Sequence, residues 1–303
     1  NANCYTGLFG LKYAEQSTDV IAKLLNLNPN HVLVSSTGII GKQLPFNKIA
    51  EGAPVLVKGL SASGGGKFAR AIMTTDLKLK EIAVEVRIGG KKVKIGACGK
   101  GSGMIEPNMA TMLGFVTTDA AISAKMLKLA LKDSTDKSFN AITVDGCMST
   151  NDMVTLMASG LAGNKMITKP GKDFDVFCKA LDYVCIDLAK KIVLDGEGAT
   201  KFIEINVSGA KNFDQAKTIA LKIANSNLVK TAAFGSNPNW GRVAAAVGSL
   251  GLKVTEDDLK ITFSSFKEKN IAINIGLSLG LAKATVWTSD LSYEYVRING
   301  EYN

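Results

Sequence analysis

One stretch of the chain holds residue types that suit acyl chemistry without a histidine or a metal: Gly99 to Phe115, GKGSGMIEPNMATMLGF. Glycines at 99, 101 and 103 let the backbone turn tightly and approach other groups closely. Pro107 removes a backbone donor and holds Glu106 towards extended geometry. Ala110-Thr111 follows, a small residue and then a β-branched hydroxyl, and the apolar run Met112 to Val116 is expected to anchor this point as a buried strand. If the Ala110–Thr111 bond opens, Thr111 begins a chain. Its own α-amino group, with an ordinary pKa of ~7.7–8.0, then takes the hydroxyl proton as a general base. Burial beside Lys100 lowers that amine further. The opening is itself a reasonable autocatalysis: the Thr111 hydroxyl attacks the Ala110 carbonyl, the amide becomes an ester, and water hydrolyses it. Taken alone, the stretch reads more simply as a glycine-rich turn into an ordinary strand, because short glycine patterns are weak signals.

The rest of the composition narrows the alternatives. The chain has a single histidine, His31, in the turn-like NPNH, so a histidine-assisted serine would depend on one loop residue. The five cysteines are odd in number and form no CxxC pair, which fits reduced thiols better than a disulfide framework or a zinc site. Ser61 to Lys67, SASGGGK, resembles a phosphate loop but has Phe68 where Ser or Thr is needed. The net charge of +9 comes from lysines scattered along the chain, which suits anionic small substrates better than a nucleic-acid stripe. No run approaches the ~18 apolar residues of a membrane span, and no signal peptide is visible. The chain starts at Asn1, not Met, so an upstream segment is expected.

These residues need elements to hold them. With 303 residues the chain can bury a sizeable core. Helical spacing predicts helices over Leu11 to Leu27, Leu44 to Gly52, Phe68 to Met73, Ala120 to Leu131 (capped by Thr118 or Asp119), Met153 to Ser159 (capped by Asn151 or Asp152) and Phe213 to Ala224. The clearest runs from Phe174 to Ile192 and places Cys178 and Cys185 in the core. Alternation predicts the strand Ile82 to Ile88, returned by Gly89-Gly90 into Val93 to Ala97. Further strands are expected at His31 to Ser35, Ala141 to Val144, Phe202 to Val207, Ile261 to Phe263, Ile271 to Ile275, Ala284 to Thr288 and Tyr293 to Ile298. Gly235 to Gly241 reads as a turn cluster holding Trp240. The class is α/β with many antiparallel signals and no doubly wound run.

Several blocks in order then resemble the ornithine acetyltransferase family, the bifunctional glutamate N-acetyltransferases of arginine biosynthesis. They are NANCYTG at 1–7, SSTGIIGKQLP at 35–45, ARAIMTTD at 69–76, KGSGMIEPNMATMLGFVTTDA at 100–120, VDGCMSTNDM at 144–153, LDGEGATKFIEI at 194–205, NPNWGRV at 237–243 and YVRINGEY at 295–302. The resemblance implies cleavage between Ala110 and Thr111, with Thr111 as the nucleophile that carries the acetyl group. It implies an oxyanion hole from Thr37 and Gly38, where losing one donor typically costs ~10²–10³ in rate. Substrate contacts carry over to Thr74, Lys100, Thr111, Glu197 and Asn299, with Thr74 preferred to Thr75 on its spacing to Lys100. Lys100 suits a substrate carboxylate and Glu197 the amino end of ornithine. The implied reaction takes acetyl from N2-acetyl-L-ornithine to L-glutamate without metal or organic cofactor; some members also accept acetyl-CoA.

The implied fold is a layered α/β/β/α sandwich, the DmpA/ornithine acetyltransferase-like fold of N-terminal-nucleophile type. Residues 1–110 would be the remainder of an α-chain and 111–303 the β-chain, with a C-terminal α/β lobe from about 200, the two parts forming one intertwined unit. The fragments are expected to assemble as α2β2 or larger in the cytoplasm, with no nucleic acid and no membrane. The family usually continues beyond Asn303 to a terminal threonine. Two rival readings remain: a related N-terminal-nucleophile aminopeptidase, which would use serine, and a non-catalytic basic binding protein.

Overall fold

A computed structural model describes residues 1–106 and 112–301. Three helices come first, α1 (Gly7–Leu25), α2 (Phe46–Lys58) and α3 (Gly65–Ala71). Then β1 (Lys80–Ile88) and β2 (Lys91–Lys100) form an antiparallel hairpin. Its turn is Gly89 and Gly90, both at positive φ, the backbone a tight two-residue hairpin requires. β3 (Leu113–Thr118), α4 (Ala124–Lys137) and β4 (Met153–Ala158) follow. The first sheet has the order β1-β2-β3-β4, with β3 antiparallel to β2 and parallel to β4. The long helix α5 (Lys172–Leu194) packs on β1 and β2.

The second sheet is built from β5 (Phe202–Ala210), β6 (Leu259–Phe263), β7 (Asn270–Leu277) and β8 (Ala282–Ser289), in the order β6-β7-β5-β8. Helix α6 (Phe213–Ala224) covers β5 and β8. Two short helices, α7 (Asn227–Phe234) and α8 (Trp240–Gly248), and the C-terminal α9 (Tyr293–Glu301) complete the described elements. β5 carries a bulge at Gly209, whose Cβ would stand 1.8 Å from the Leu277 carbonyl, so only glycine lets β5 and β7 close there. One core joins the layers: Val93, Ile95 and Val116 of the first sheet share it with Phe177, Leu181 and Leu188 of α5, and Ile203, Ile205 and Val207 lie under α6. Cys185 sits fully inside this core and Cys178 against it, as their spacing predicts. The α/β class, with two sheets and covering helices, is the one expected.

Several local expectations are corrected. The helix expected over Leu11 to Leu27 runs from Gly7 to Leu25, and its apolar Leu24 and Leu25 are exposed. His31 to Ser35 forms no strand, and Leu33 and Val34 are exposed. The helix expected from Ala120 begins at Ala124 and is capped by Ser123. Thr118 and Asp119 are taken by β2 instead: the Thr118 hydroxyl donates to the Lys94 carbonyl and Asp119 accepts the Lys94 N–H. The helix expected over Met153 to Ser159 is instead the strand β4, Met153–Ala158, because β3 offers it a full parallel ladder. Ala141 to Val144 ends a 3-10 turn, and only Ile142 bridges, to Trp287. Tyr293 to Ile298 is helical; the Ser292 hydroxyl accepts the Tyr295 N–H at its start, and Arg297 pairs with Glu294 and Glu301 one turn either side. Trp240 opens α8 and does not sit in a turn, with Asn239 as cap.

Candidate functional site

A cleft of about 130 Å³ lies where the end of β2, the loop after α3, the loop after α5 and the segment around Gly38 converge. That is below the ~300–1,000 Å³ of drug-sized sites and fits a small ligand. Thr37, Gly38, Thr74, Lys100, Glu197 and Asn299 all line it, although the chain separates the first from the last by 262 residues. Ala110 and Thr111 lie outside the described residues. Met112, the residue after them, is buried and leads directly into β3.

A buried ion triad builds one wall. Lys80 is 1% exposed, and its ammonium donates to Asp76 at 2.6 Å and Asp195 at 2.5 Å. Asp195 closes the end of α5 and also accepts the N–H groups of Leu77 and Lys78. Asp76 accepts the N–H groups of Gly101 at 2.7 Å and Thr74 at 3.1 Å. One lysine therefore ties the Thr74 loop, the end of β2 and the end of α5 together. Burial pushes the Asp76 carboxyl up, but the Gly101 N–H, Lys80 and the Thr74 N–H outweigh it and hold Asp76 below the usual carboxylate range.

Lys100, 3% exposed, reaches the cleft from the end of β2. Burial lowers its ammonium pKa; Asp76, Glu197 and Asp152 act in the other direction and Lys80 with burial. Such a cation is a strong site for an anionic group, because few waters remain to compete with it. Beside it the Thr75 and Ser102 hydroxyls bond each other at 2.6 Å, and both line the cleft together with Thr74. The Ser102 carbonyl accepts the Glu197 N–H at 2.8 Å, which sets the carboxylate of Glu197 over Gly103. Asn299, on α9 and not at a strand end, donates to Glu197 at 3.0 Å.

The opposite wall is the Thr37-Gly38 segment. It is held by residues near the start of the chain: Ala2 donates to the Ile39 carbonyl at 3.0 Å, Gly41 donates to the Cys4 carbonyl, and the Asn3 N–H donates to the Ser36 hydroxyl. Gly38 has φ +123°, a backbone that favours glycine. The N–H groups of Thr37 and Gly38 donate to no group among the described residues. Two adjacent unspent donors at a cleft wall suit a developing oxyanion.

Sequence reasoning missed one titratable group here. Asp152, expected as a helix cap, instead accepts the Met112 N–H at 2.7 Å. Its neighbours Ser149, Thr150 and Asn151 line the cleft. The polar run STND just before an apolar segment was the available signal; its partner across the sheet was not visible. Among the described residues no group of three His, Cys, Asp or Glu could hold a metal ion, and no helix is long and apolar enough to cross a membrane.

A family profile described as the ArgJ family matches residues 1–267 and 264–303. The arginine biosynthesis bifunctional protein ArgJ of Bacillus licheniformis is 47% identical over 322 residues, covering 100% of this chain and 79% of the relative. The protein of the same name from Bacillus subtilis strain 168 is 47% identical over 321 residues, covering 99% of this chain and 79% of the relative. Among solved structures, the crystal structure of the arginine biosynthesis bifunctional protein argJ of Bacillus halodurans matches with a TM-score of 0.61 and 43% identity, covering 63% of this chain and 100% of the solved one.

Proposed function

The chain belongs to the ArgJ family, and from that premise we propose that it is a self-cleaving glutamate N-acetyltransferase of arginine biosynthesis that works through an acetyl-Thr111 intermediate. The donor is N2-acetyl-L-ornithine and the acceptor L-glutamate. The observation that carries this reading is the convergence of Thr37, Gly38, Thr74, Lys100, Glu197 and Asn299 on one cleft. Residues from five separate segments of the chain meet there.

The reaction is a ping-pong exchange. The α-amino group of Thr111 takes the hydroxyl proton, and Oγ attacks the acetyl carbonyl of N-acetylornithine. The N–H groups of Thr37 and Gly38 receive the oxyanion. Ornithine leaves as the amine, and glutamate then enters and takes the acetyl group by the reverse sequence. Lys100 binds the substrate carboxylate, Glu197 the far amino group of ornithine, and Asn299 holds Glu197 in place while Thr74 closes the other side. No cofactor is called for, since the acyl group rides on the protein.

The fragments of such a cut would stay together for a structural reason. Residues 1–110 contribute β1 and β2, and 111–303 contribute β3 and β4, so one sheet is shared between them. All strands of the second sheet lie from Phe202 onwards, in the larger fragment. We place the enzyme in the cytoplasm, with paired fragments assembling as α2β2 or larger.

Intact mass of the full-length protein beside Thr111→Ala tests the proposal. Two fragments from wild type, the second beginning at Thr111, and one whole chain from the variant are expected. An uncut wild type, or a variant cut like wild type, overturns it. Acetyl transfer to glutamate, measured against ammonia or amine release without an acceptor, separates a transferase from a hydrolase.

A further inference from the structure

Self-cleavage needs a proton acceptor that acetyl transfer does not. Before the bond opens, the Thr111 nitrogen is an amide and takes no proton; the amine that serves the later reaction exists only afterwards. His31, the one imidazole, is exposed in the 3-10 turn Pro29–His31 and lines no part of the cleft. Asp152 stands beside the step. Its Oδ1 accepts the Met112 N–H at 2.7 Å. Met112 directly follows Thr111 in the chain, so this carboxylate is anchored at the residue next to the nucleophile. Its Oδ2 is sealed from solvent and has no hydrogen-bond partner among the described residues. Leaving a buried acceptor unused costs about 1–3 kcal/mol, so such a group calls for a role.

The placement is rigid. Met153, the next residue, donates to the Met112 carbonyl at 3.2 Å, and from there β4 runs in register with β3. Burial pushes the Asp152 carboxyl up to about 7, against the Met112 N–H and the Lys100 ammonium. Lys100, from the end of β2, is the charged group that faces it; Asp76, Lys80 and Glu197 face Lys100 in turn. A group that titrates near neutrality both takes and returns a proton readily there.

Resting on the assignment of Thr111 as nucleophile, we infer that Asp152 is the proton carrier of chain cleavage. Its free oxygen takes the Thr111 hydroxyl proton as Oγ attacks the Ala110 carbonyl carbon, and returns it to the Thr111 nitrogen as the C–N bond breaks. One C–O bond forms, one C–N bond breaks, one proton moves from oxygen to nitrogen, and Asp152 ends as it began. Water then hydrolyses the ester to the Ala110 carboxylate and the free Thr111 hydroxyl.

The test follows cleavage of full-length precursor made by cell-free synthesis, stopped and moved into buffers across neutral pH, with intact mass as the readout. The wild-type rate is expected to rise about tenfold per pH unit below about 7 and to level above it, because the carboxylate is the form that starts the step. Asp152→Asn keeps the acceptor for Met112 and should slow cleavage at least ~100-fold, with a flat pH profile. Asp152→Glu should cleave more slowly than wild type with a moved inflection. Circular dichroism checks that each variant is folded. A folded Asp152→Asn chain that cleaves within threefold of wild type, with the wild-type inflection, overturns the inference. If that variant does not fold, Asp152→Glu decides: a wild-type rate with an unmoved inflection overturns it. Thr111→Ala, run alongside, separates the two failures. A variant at 111 that is cut like wild type removes the nucleophile and this inference together. An uncut Thr111→Ala with a normal Asp152→Asn removes the inference alone.

Discussion

A methyl group at position 103 should empty the cleft of the Glu197 carboxylate and leave the fold alone. A Cβ on Gly103 would lie 2.3 Å from Glu197 Oε2, 2.4 Å from its Cδ and 2.7 Å from Oε1. All three atoms belong to the movable end of a side chain, and Gly103 is not among the positive-φ glycines, so alanine meets no backbone strain there. Glu197 must swing away and give up its 3.0 Å contact with Asn299. If Glu197 holds the ornithine amine, the loss is a hydrogen bond between charged groups, about 1.5–3 kcal/mol. At ~1.36 kcal/mol per tenfold that is roughly 10–150-fold in kcat/KM for N-acetylornithine. The assay is acetyl transfer to glutamate by Gly103→Ala, Glu197→Gln and the double variant, with thermal unfolding of each. The double variant should be no worse than the worse single one, since both remove the same contact. The reasoning fails if Gly103→Ala keeps kcat/KM within twofold of wild type. It fails equally if the two losses add in full.

Two further substitutions test the scaffold. Lys80→Met leaves Asp76 and Asp195 buried without their cation; removing one partner of a buried ion pair costs about 3–5 kcal/mol, and a marked drop in the urea midpoint is expected. An unchanged midpoint would mean that the triad does not hold the Thr74 loop. Lys230 is buried, donates to the Thr288 hydroxyl at 2.9 Å and to the Ser289 carbonyl, and is lowered to about 8 by burial, with Asp290 and Asp145 opposing. Its folded pKa lies below the ordinary ~10.4, so its contribution is full above ~10.4 and is lost as pH falls through about 8. Wild-type stability should therefore gain on that of Lys230→Met as pH rises from ~8 to ~10. Parallel urea curves at both ends of that range would contradict this.

How much could be read in advance depended on whether a signal was local. The spacing of Phe174, Phe177, Leu181, Val184 and Leu188 makes one face of a helix wherever it packs, and α5 is that helix. The Gly89-Gly90 pair demands a hairpin because few residues other than glycine tolerate two consecutive positive φ values. Thr37, Gly38, Thr74, Lys100, Glu197 and Asn299 were singled out through ordered blocks that resemble one family, and the structure brings these six to one cleft.

Other features waited for a partner. Met153 to Ala158 is apolar at nearly every position, a pattern that serves a helix or a buried strand equally, and the ladder offered by β3 decided it. Tyr293 to Ile298 reads like a strand, yet the Ser292 hydroxyl and the Arg297 ion pairs close a helix, and that helix brings Asn299 to Glu197. Asp152 reads as an ordinary cap until β4 sets it against Met112, 40 residues earlier in the chain. Chain order alone thus determined which residue types were available for the chemistry and the elements that short-range spacing dictates. Tertiary structure alone decided which carboxylate is buried, which donors stay unspent and which distant segments share a wall, because burial and pairing are properties of contacts between segments.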